Sequence, residues 1–242
     1  MGRASAHAKV AVAVLALFGV AACQPKVEDK RAETARAFPL ADRPVSKVVS
    51  SQFSTEADRD RQGEANMVMD LAGVKPGMSV ADIGAGEGYY TVRLAERVGP
   101  GGRVLAQDID GDALRRLGLR VEKDRLDNVS IKPGAEDDPR LPERSFDRIF
   151  MVHMYHEVTE PYAFLWNMWP ALNAGGQIIV VESDRPVGSH GLPHTVLFCE
   201  FEAVGYVLVE YIERPDIKGY FARFERGPKR TEPDAIRVCD AG

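Results

Sequence analysis

Cysteine is scarce: the 242-residue chain has three, none in a CxxC pair, which excludes a zinc ribbon, a thioredoxin-type motif and a disulfide-stapled mini-fold. Positive charge is not in excess. Thirty-one Lys+Arg stand against 36 Asp+Glu for a formal charge of −5, without the basic domain or stripe of a nucleic-acid surface. The uninterrupted apolar run at 10–20 is too short to span a bilayer as a stable helix. No internal repeat or low-complexity tract occurs. What remains is an ordinary globular composition, 45% hydrophobic and 28% charged, in a length that suits one large domain or two small ones.

The first residues read as an address rather than as fold. Arg3 and Lys9 flank a polar start, the apolar run comes next, and the small residues Ala21 and Ala22 precede Cys23, the order of regions in an export signal. Val20-Ala21-Ala22-Cys23 resembles the bacterial lipobox. That resemblance implies cleavage before Cys23, acylation of its sulfur and new N-terminus, and a mature chain held to a membrane by a lipid anchor. Gln24 after the cysteine is similar to lipoproteins sent on to the outer membrane, so the expected location is exported, periplasmic and membrane-anchored. The chain then divides into a signal peptide (1–22), a lipidated linker (23–50) broken by Pro25, Pro39 and Pro44, a main domain (51–227) and a flexible tail (228–242). A plain secretory signal, or an unused one with the protein left in the cytoplasm, is the alternative.

Within the main domain, β-rich apolar runs alternate with amphipathic stretches, the pattern of βαβ units around a mostly parallel sheet. Strands are expected at 79–83, 103–109, 129–132, 146–153, 176–182, 206–213 and 220–225. Helices are expected at 89–98, 111–124, 161–172 and 194–204, with a further one capped by Ser54 and running towards Leu71. Phe164, Leu165, Met168 and Trp169 recur at helical spacing and read as core.

The segment Val80-Ala81-Asp82-Ile83-Gly84-Ala85-Gly86-Glu87-Gly88 sets a glycine turn directly between a strand and a helix, where a backbone without Cβ lets a ligand approach the amides. It is not a dinucleotide fingerprint, because Tyr89 stands where GxGxxG needs its last glycine. No GK[ST] comes after it, so it is not a P-loop. Asp82 ahead of the turn repels a pyrophosphate and suits a ligand with an ammonium group.

These residues resemble the first motif, (E/D)xGxGxG, of class I S-adenosylmethionine-dependent methyltransferases, met by Asp82, Gly84, Gly86 and Gly88. Other landmarks fall in register. Asp108, followed by Ile109 and Asp110, stands where the family's second-strand acid grips the ribose hydroxyls. Glu136 and Asp137, in Gly134-Ala135-Glu136-Asp137-Asp138-Pro139-Arg140-Leu141-Pro142, occupy the loop that reaches the adenine edge. Ser145-Phe146-Asp147 resembles the "FD" start of the fourth strand. Asn173-Ala174-Gly175-Gly176 resembles the "kPGG" turn, departing at the Lys and Pro positions, and Glu202-Ala203-Val204-Gly205-Tyr206 the "aGF" element. The resemblance covers about 50–226. It implies a Rossmann-like α/β fold, a seven-stranded mostly parallel sheet flanked by helices with its last strand antiparallel. It also implies S-adenosyl-L-methionine as cofactor, with Asp82, Gly84, Ala85, Gly86, Gly88, Asp108, Ile109, Glu136, Asp137 and His153 around it.

Methyl transfer from a sulfonium needs alignment and desolvation first, and a base only for some acceptors. His153 and His156 are the candidate catalytic residues, set at the C-terminal end of the fourth strand where open α/β sheets place their ligand crevice. An imidazole there can take a proton as the methyl arrives; the bland alternative is that His153 packs and His156 caps a turn. HxxHE at a strand end lacks the one-face helical spacing of a zincin, and no metal is expected, even with His190 and His194 nearby. Tyr89, Tyr90 and Thr91 either line the cofactor's methionine end or pack. Arg59 and Arg61 either meet an anion or stay solvated. Cys199 and Cys239 read equally as a disulfide and as separate thiols.

The expected activity is thus methyl transfer to a small-molecule or lipid-like acceptor. An exported noncatalytic lipoprotein using the same fold as a binding or scaffolding module is the alternative, since the cofactor is made inside the cell. Oligomeric state is not legible.

Overall fold

The computed structural model describes residues 1–2, 29–47 and 56–240. Residues 3–22 of the expected signal peptide, Cys23 and the Ser54 cap lie outside the described residues. The larger compact unit begins at Arg31 and carries every strand and α-helix described.

Seven strands form one sheet in the order β3-β2-β1-β4-β5-β7-β6: β1 (Ser79–Ile83), β2 (Arg103–Asp108), β3 (Val129–Pro133), β4 (Phe146–Val152), β5 (Leu172–Ser183), β6 (Tyr206–Arg214) and β7 (Gly219–Arg226). β1 to β5 run parallel, and β7 lies antiparallel between β5 and β6. The central strand β1 pairs Val80 with Val104 of β2 on one side and Arg148 of β4 on the other. Its residues from Val80 to Ile83 are all buried, as both faces of a parallel sheet require. Strand order reverses between β1 and β4, the switch point at which such sheets open a crevice beyond their C-terminal ends.

Six α-helices are described: α1 (Glu56–Arg61), α2 (Glu64–Leu71), α3 (Tyr89–Val98), α4 (Gly111–Lys123), α5 (Pro161–Met168) and α6 (His194–Val204). α3 buries Tyr89, Tyr90, Leu94, Ala95 and Val98. α4 starts at Asp110, whose carboxylate accepts from the amides of Asp112 and Ala113, a side-chain N-cap. One core layer centres on Tyr155, Tyr162, Phe201 and Phe224, and the other on Met69, Leu94, Phe150 and Phe221.

The differences from expectation have local causes. The helix towards Leu71 breaks at Gly63, whose left-handed backbone (φ 64°) separates α1 from α2. α5 stops at Met168 because Pro170 brings a tight turn over Trp169–Ala171. β5 then begins at Leu172, before the glycine pair, because Leu172 pairs with Phe146 and a register shift absorbs the extra residues. β4 ends before His153, whose φ of 55° leaves the extended region.

Two parts of the domain division need correction. Residues 31–47 of the expected linker lie against the body: Ala35 and Phe38 are in the core, Arg31 pairs with Glu160, and Arg43 pairs with Glu200 with both side chains only 1% exposed. The expected flexible tail is packed as well. Thr231 N–H donates to Val204 O at 2.9 Å, Arg230 lies 3.4 Å from the Trp166 ring centroid, and Ile236 is buried. Cys239 is bonded to Cys199 of α6, and Asp42 and Asp240 form a β-bridge. Buried apolar side chains and one covalent bond outweigh the chain entropy that polar, proline-broken composition led us to expect.

Candidate active site

Beyond the C-terminal ends of β1, β2, β4 and β5 lies a cleft of about 910 Å³. The turn after β1 supplies Gly84, Ala85 and Gly86, the end of β2 supplies Asp108 and Ile109, and the loop after β3 supplies Glu136. His153 comes directly after β4, and His156 sits on the next turn. Eight of the expected site residues therefore share one cavity.

Asp82, Gly88 and Asp137 do not line it. Asp82 lies beneath the turn, and its carboxylate accepts from the Thr91 hydroxyl at 2.6 Å. Burial raises its pKa to about 7 even against that hydrogen bond. Its carboxylate thus supports the turn from beneath. Gly88 opens α3 with φ 90°, and a Cβ there would stand 2.4 Å from Leu117 Cδ1; close packing against α4 explains that glycine. Asp137 is buried and accepts from Thr34 of the N-terminal segment. Thr91 is fully buried, and Tyr89 and Tyr90 pack side by side.

Asp108 locks the turn. One carboxylate oxygen accepts from Gly86 N–H at 2.8 Å and the other from Asp110 N–H at 2.9 Å, which leaves each oxygen capacity for another donor.

His153 stands between the cleft and a buried ionic group. Its Nε2 is 3.5 Å from Oε1 of Glu64, whose carboxylate also accepts from Arg59 at 2.5 Å and from the Tyr90 hydroxyl at 3.0 Å. Burial alone would raise the Glu64 pKa, but His153 and Arg59 bring it down to about 2. The Arg59 guanidinium lies 3.9 Å from the Tyr89 ring centroid, so Arg59 is engaged by protein groups rather than left solvated.

His156 is 4% exposed, and its Nδ1 lies 2.9 Å and 3.0 Å from the two carboxylate oxygens of Glu182 at the end of β5. Burial would lower its pKa, and Glu182 more than reverses that to raise it.

Glu64 and Glu182 were missed in the sequence. Both left a signal: Glu64 precedes Ala65, Val68 and Met69 on the buried face of α2, and Glu182 closes the apolar run 178–181. A carboxylate on a buried face needs a partner.

Residues 80–176 match a family described as "Methyltransferase domain". With the switch-point cleft and the strand order, that match gives the domain a Rossmann-like methyltransferase fold, similar to that of class I S-adenosylmethionine-dependent methyltransferases. The chain is 33% identical over 124 residues to the ubiquinone/menaquinone biosynthesis C-methyltransferase UbiE of Idiomarina loihiensis, covering 50% of this chain and 49% of that protein. It is 30% identical over 126 residues to the protein of the same name from Pasteurella multocida, with 49% and 45% covered. The chain thus spans about half the length of the curated relatives it matches. Among solved structures, a SAM-dependent methyltransferase from Aquifex aeolicus aligns with TM-score 0.61 at 25% identity, over 66% of this chain and 88% of that one.

The residues present fit S-adenosylmethionine, the cofactor of this class. A Cβ on Gly86 would meet no atom within 4 Å, so the turn opens on free cleft, and Asp108 offers a strand-end carboxylate beside it. Ile109, 46% exposed, offers apolar surface at the same end.

Proposed function

We propose that the protein catalyses transfer of a methyl group from S-adenosylmethionine to a small-molecule acceptor of quinone type. The observation that carries this reading is Asp108, fixed by Gly86 N–H at 2.8 Å at the mouth of a cleft lined by the glycine turn. The likeness to ubiquinone/menaquinone C-methyltransferases suggests the acceptor class. Met154, Val158, Phe164 and Ile217 give the cleft an apolar wall suited to it.

Bound there, the cofactor supplies a methyl group on an electron-poor sulfonium. Asp108 and Glu136 would hold its hydroxyl and amino donors. His153 faces the cleft with Glu64 behind it, a placement suited to accepting a proton from the acceptor while Glu64 fixes the ring and balances the imidazolium. The apolar wall excludes water from the reacting atoms.

Calorimetric titration with S-adenosylmethionine and S-adenosylhomocysteine tests the reading. Micromolar binding that Asp108→Ala weakens at least about 100-fold, or about 2.7 kcal/mol, supports it. A folded protein that binds neither compound overturns it and leaves a noncatalytic module on this fold.

We also propose that Cys23 is acylated and that the body works outside the cytoplasm, anchored to a membrane. The Cys199–Cys239 disulfide supports this, since such bonds persist in oxidising compartments. Labelling with an alkynyl fatty acid should mark the wild type and not Cys23→Ser; equal labelling of both, or of neither, refutes the anchor.

A further inference from the structure

His156, Glu157 and His190 converge at the cleft. Each offers one ligand-type atom, and the three atoms lie within 4.8 Å of one another. His156 Nε2 is 3.9 Å from a Glu157 carboxylate oxygen, and the His156 and His190 rings meet edge to face with centroids 5.8 Å apart. All three residues line the cavity.

A second observation concerns the atom behind this cluster. Nδ1 of His156 is committed to Glu182, and the His156 backbone N–H donates to the same carboxylate at 3.3 Å. The Glu182 side chain is 0% exposed. An imidazole that keeps its Nδ1 proton on a carboxylate presents the lone pair of Nε2 to a metal, the outer-carboxylate arrangement of histidine metal sites.

We propose that His156, Glu157 and His190 form a site for a divalent transition metal, zinc foremost, with Glu182 as the carboxylate that orients the first ligand. Two imidazoles and one carboxylate suit zinc and are a poor set for magnesium or calcium, which take oxygen ligands. Tetrahedral bonds of about 2.0–2.2 Å place ligand atoms roughly 3.3–3.6 Å apart. Rotation of the Glu157 and His190 side chains would have to close that gap; Glu157 lies on the short turn Tyr155–Glu157 and His190 directly succeeds the turn Val187–Ser189. Three protein ligands leave a fourth position open for a water or another oxygen donor.

The expectation of no metal rested on the strand-end spacing of HxxHE. The fold supplies the missing ligand from His190, beyond β5, while His194 turns to Asp184, 2.9 Å from its Nδ1. The proposal stands independently of methyl transfer.

The test is calorimetric titration of the full chain with Zn2+, prepared without a polyhistidine tag and stripped with chelator, alongside Glu182→Gln and His190→Gln. The expected result is one zinc per chain, bound more tightly than about 1 µM, weakened about 10–100-fold by Glu182→Gln and at least as much by His190→Gln. Co2+ in the wild type should give the intense visible bands of a four-coordinate ion. No saturable binding by the wild type, or unchanged binding in His190→Gln, overturns the site. If Glu182→Gln does not fold, His190→Gln alone decides. The readout is metal alone, so its failure is distinct from failure to bind S-adenosylmethionine.

Discussion

Nε2 of His153 lies 3.5 Å from Oε1 of Glu64, which ties the residue directly after β4 to a buried carboxylate on α2. Arg59 and the Tyr90 hydroxyl donate to the same oxygen. One imidazole therefore faces the cleft with its orientation set from behind.

His153→Asn should keep the fold, because asparagine tolerates the left-handed backbone found there (φ 55°). Turnover of a quinone-type acceptor used by the wild type should fall about 10²-fold or more, while S-adenosylmethionine affinity changes by less than about threefold. Steady-state kinetics beside calorimetry decides it: unchanged turnover removes His153 from the chemistry.

Asp82 sets a pH dependence of stability. With its pKa raised from 3.8 to about 7, the native state holds a proton that the unfolded chain has released across that window. Stability from this group is full below pH 3.8 and is lost as pH rises towards 7. Asp82→Asn keeps an oxygen for Thr91 and abolishes the loss. Its stability relative to wild type should rise by about 2–3 kcal/mol between pH 5 and pH 8. Urea unfolding of the cofactor-free protein at both values is the check, and a pH-independent difference would refute the assignment.

Gly86 and Gly88 should respond differently to alanine. At Gly88 the added Cβ meets Leu117 at 2.4 Å, whereas at Gly86 it meets nothing within 4 Å. Both lose about 1–2 kcal/mol to the left-handed backbone, and Gly88→Ala should lose about 1–3 kcal/mol more from overpacking. Thermal unfolding ranks the two variants; equal losses would contradict the packing role of Gly88.

The bond between Cys199 and Cys239 closes a loop with a sequence separation of 40. Cys239→Ser should cost about 3–4 kcal/mol by the loop-entropy account and release the last residues to proteolysis. A denaturant midpoint unmoved by reducing agent in the wild type would show that the bond does not stabilise the fold.

Strands and helices were legible wherever burial alone enforced a period, as in β1, α3 and α4. The glycine turn and Asp108 were legible too, because backbone geometry dictates their residue types locally. Glu64 behind His153 and Glu182 behind His156 were not, since each meets its partner only through the crossover order of the sheet. The placement of Asp82 and Gly88 behind the turn was not legible for a related reason: a motif fixes which residues surround a turn, and packing decides which of them face outward. The tail and the linker failed on composition, where a few apolar residues and one cysteine dominated a polar background.

The disulfide also bears on how the chain avoids a wrong ending. Three cysteines permit three pairings, and Cys23 emerges long before Cys199 has its native partner. Attachment of a diacylglyceryl group through its glycerol carbon would turn the Cys23 sulfur into a thioether, which cannot take part in thiol–disulfide exchange. The lipid anchor would then act as a quality-control step, leaving Cys199 no partner except Cys239, and an unlipidated chain should accumulate scrambled isomers.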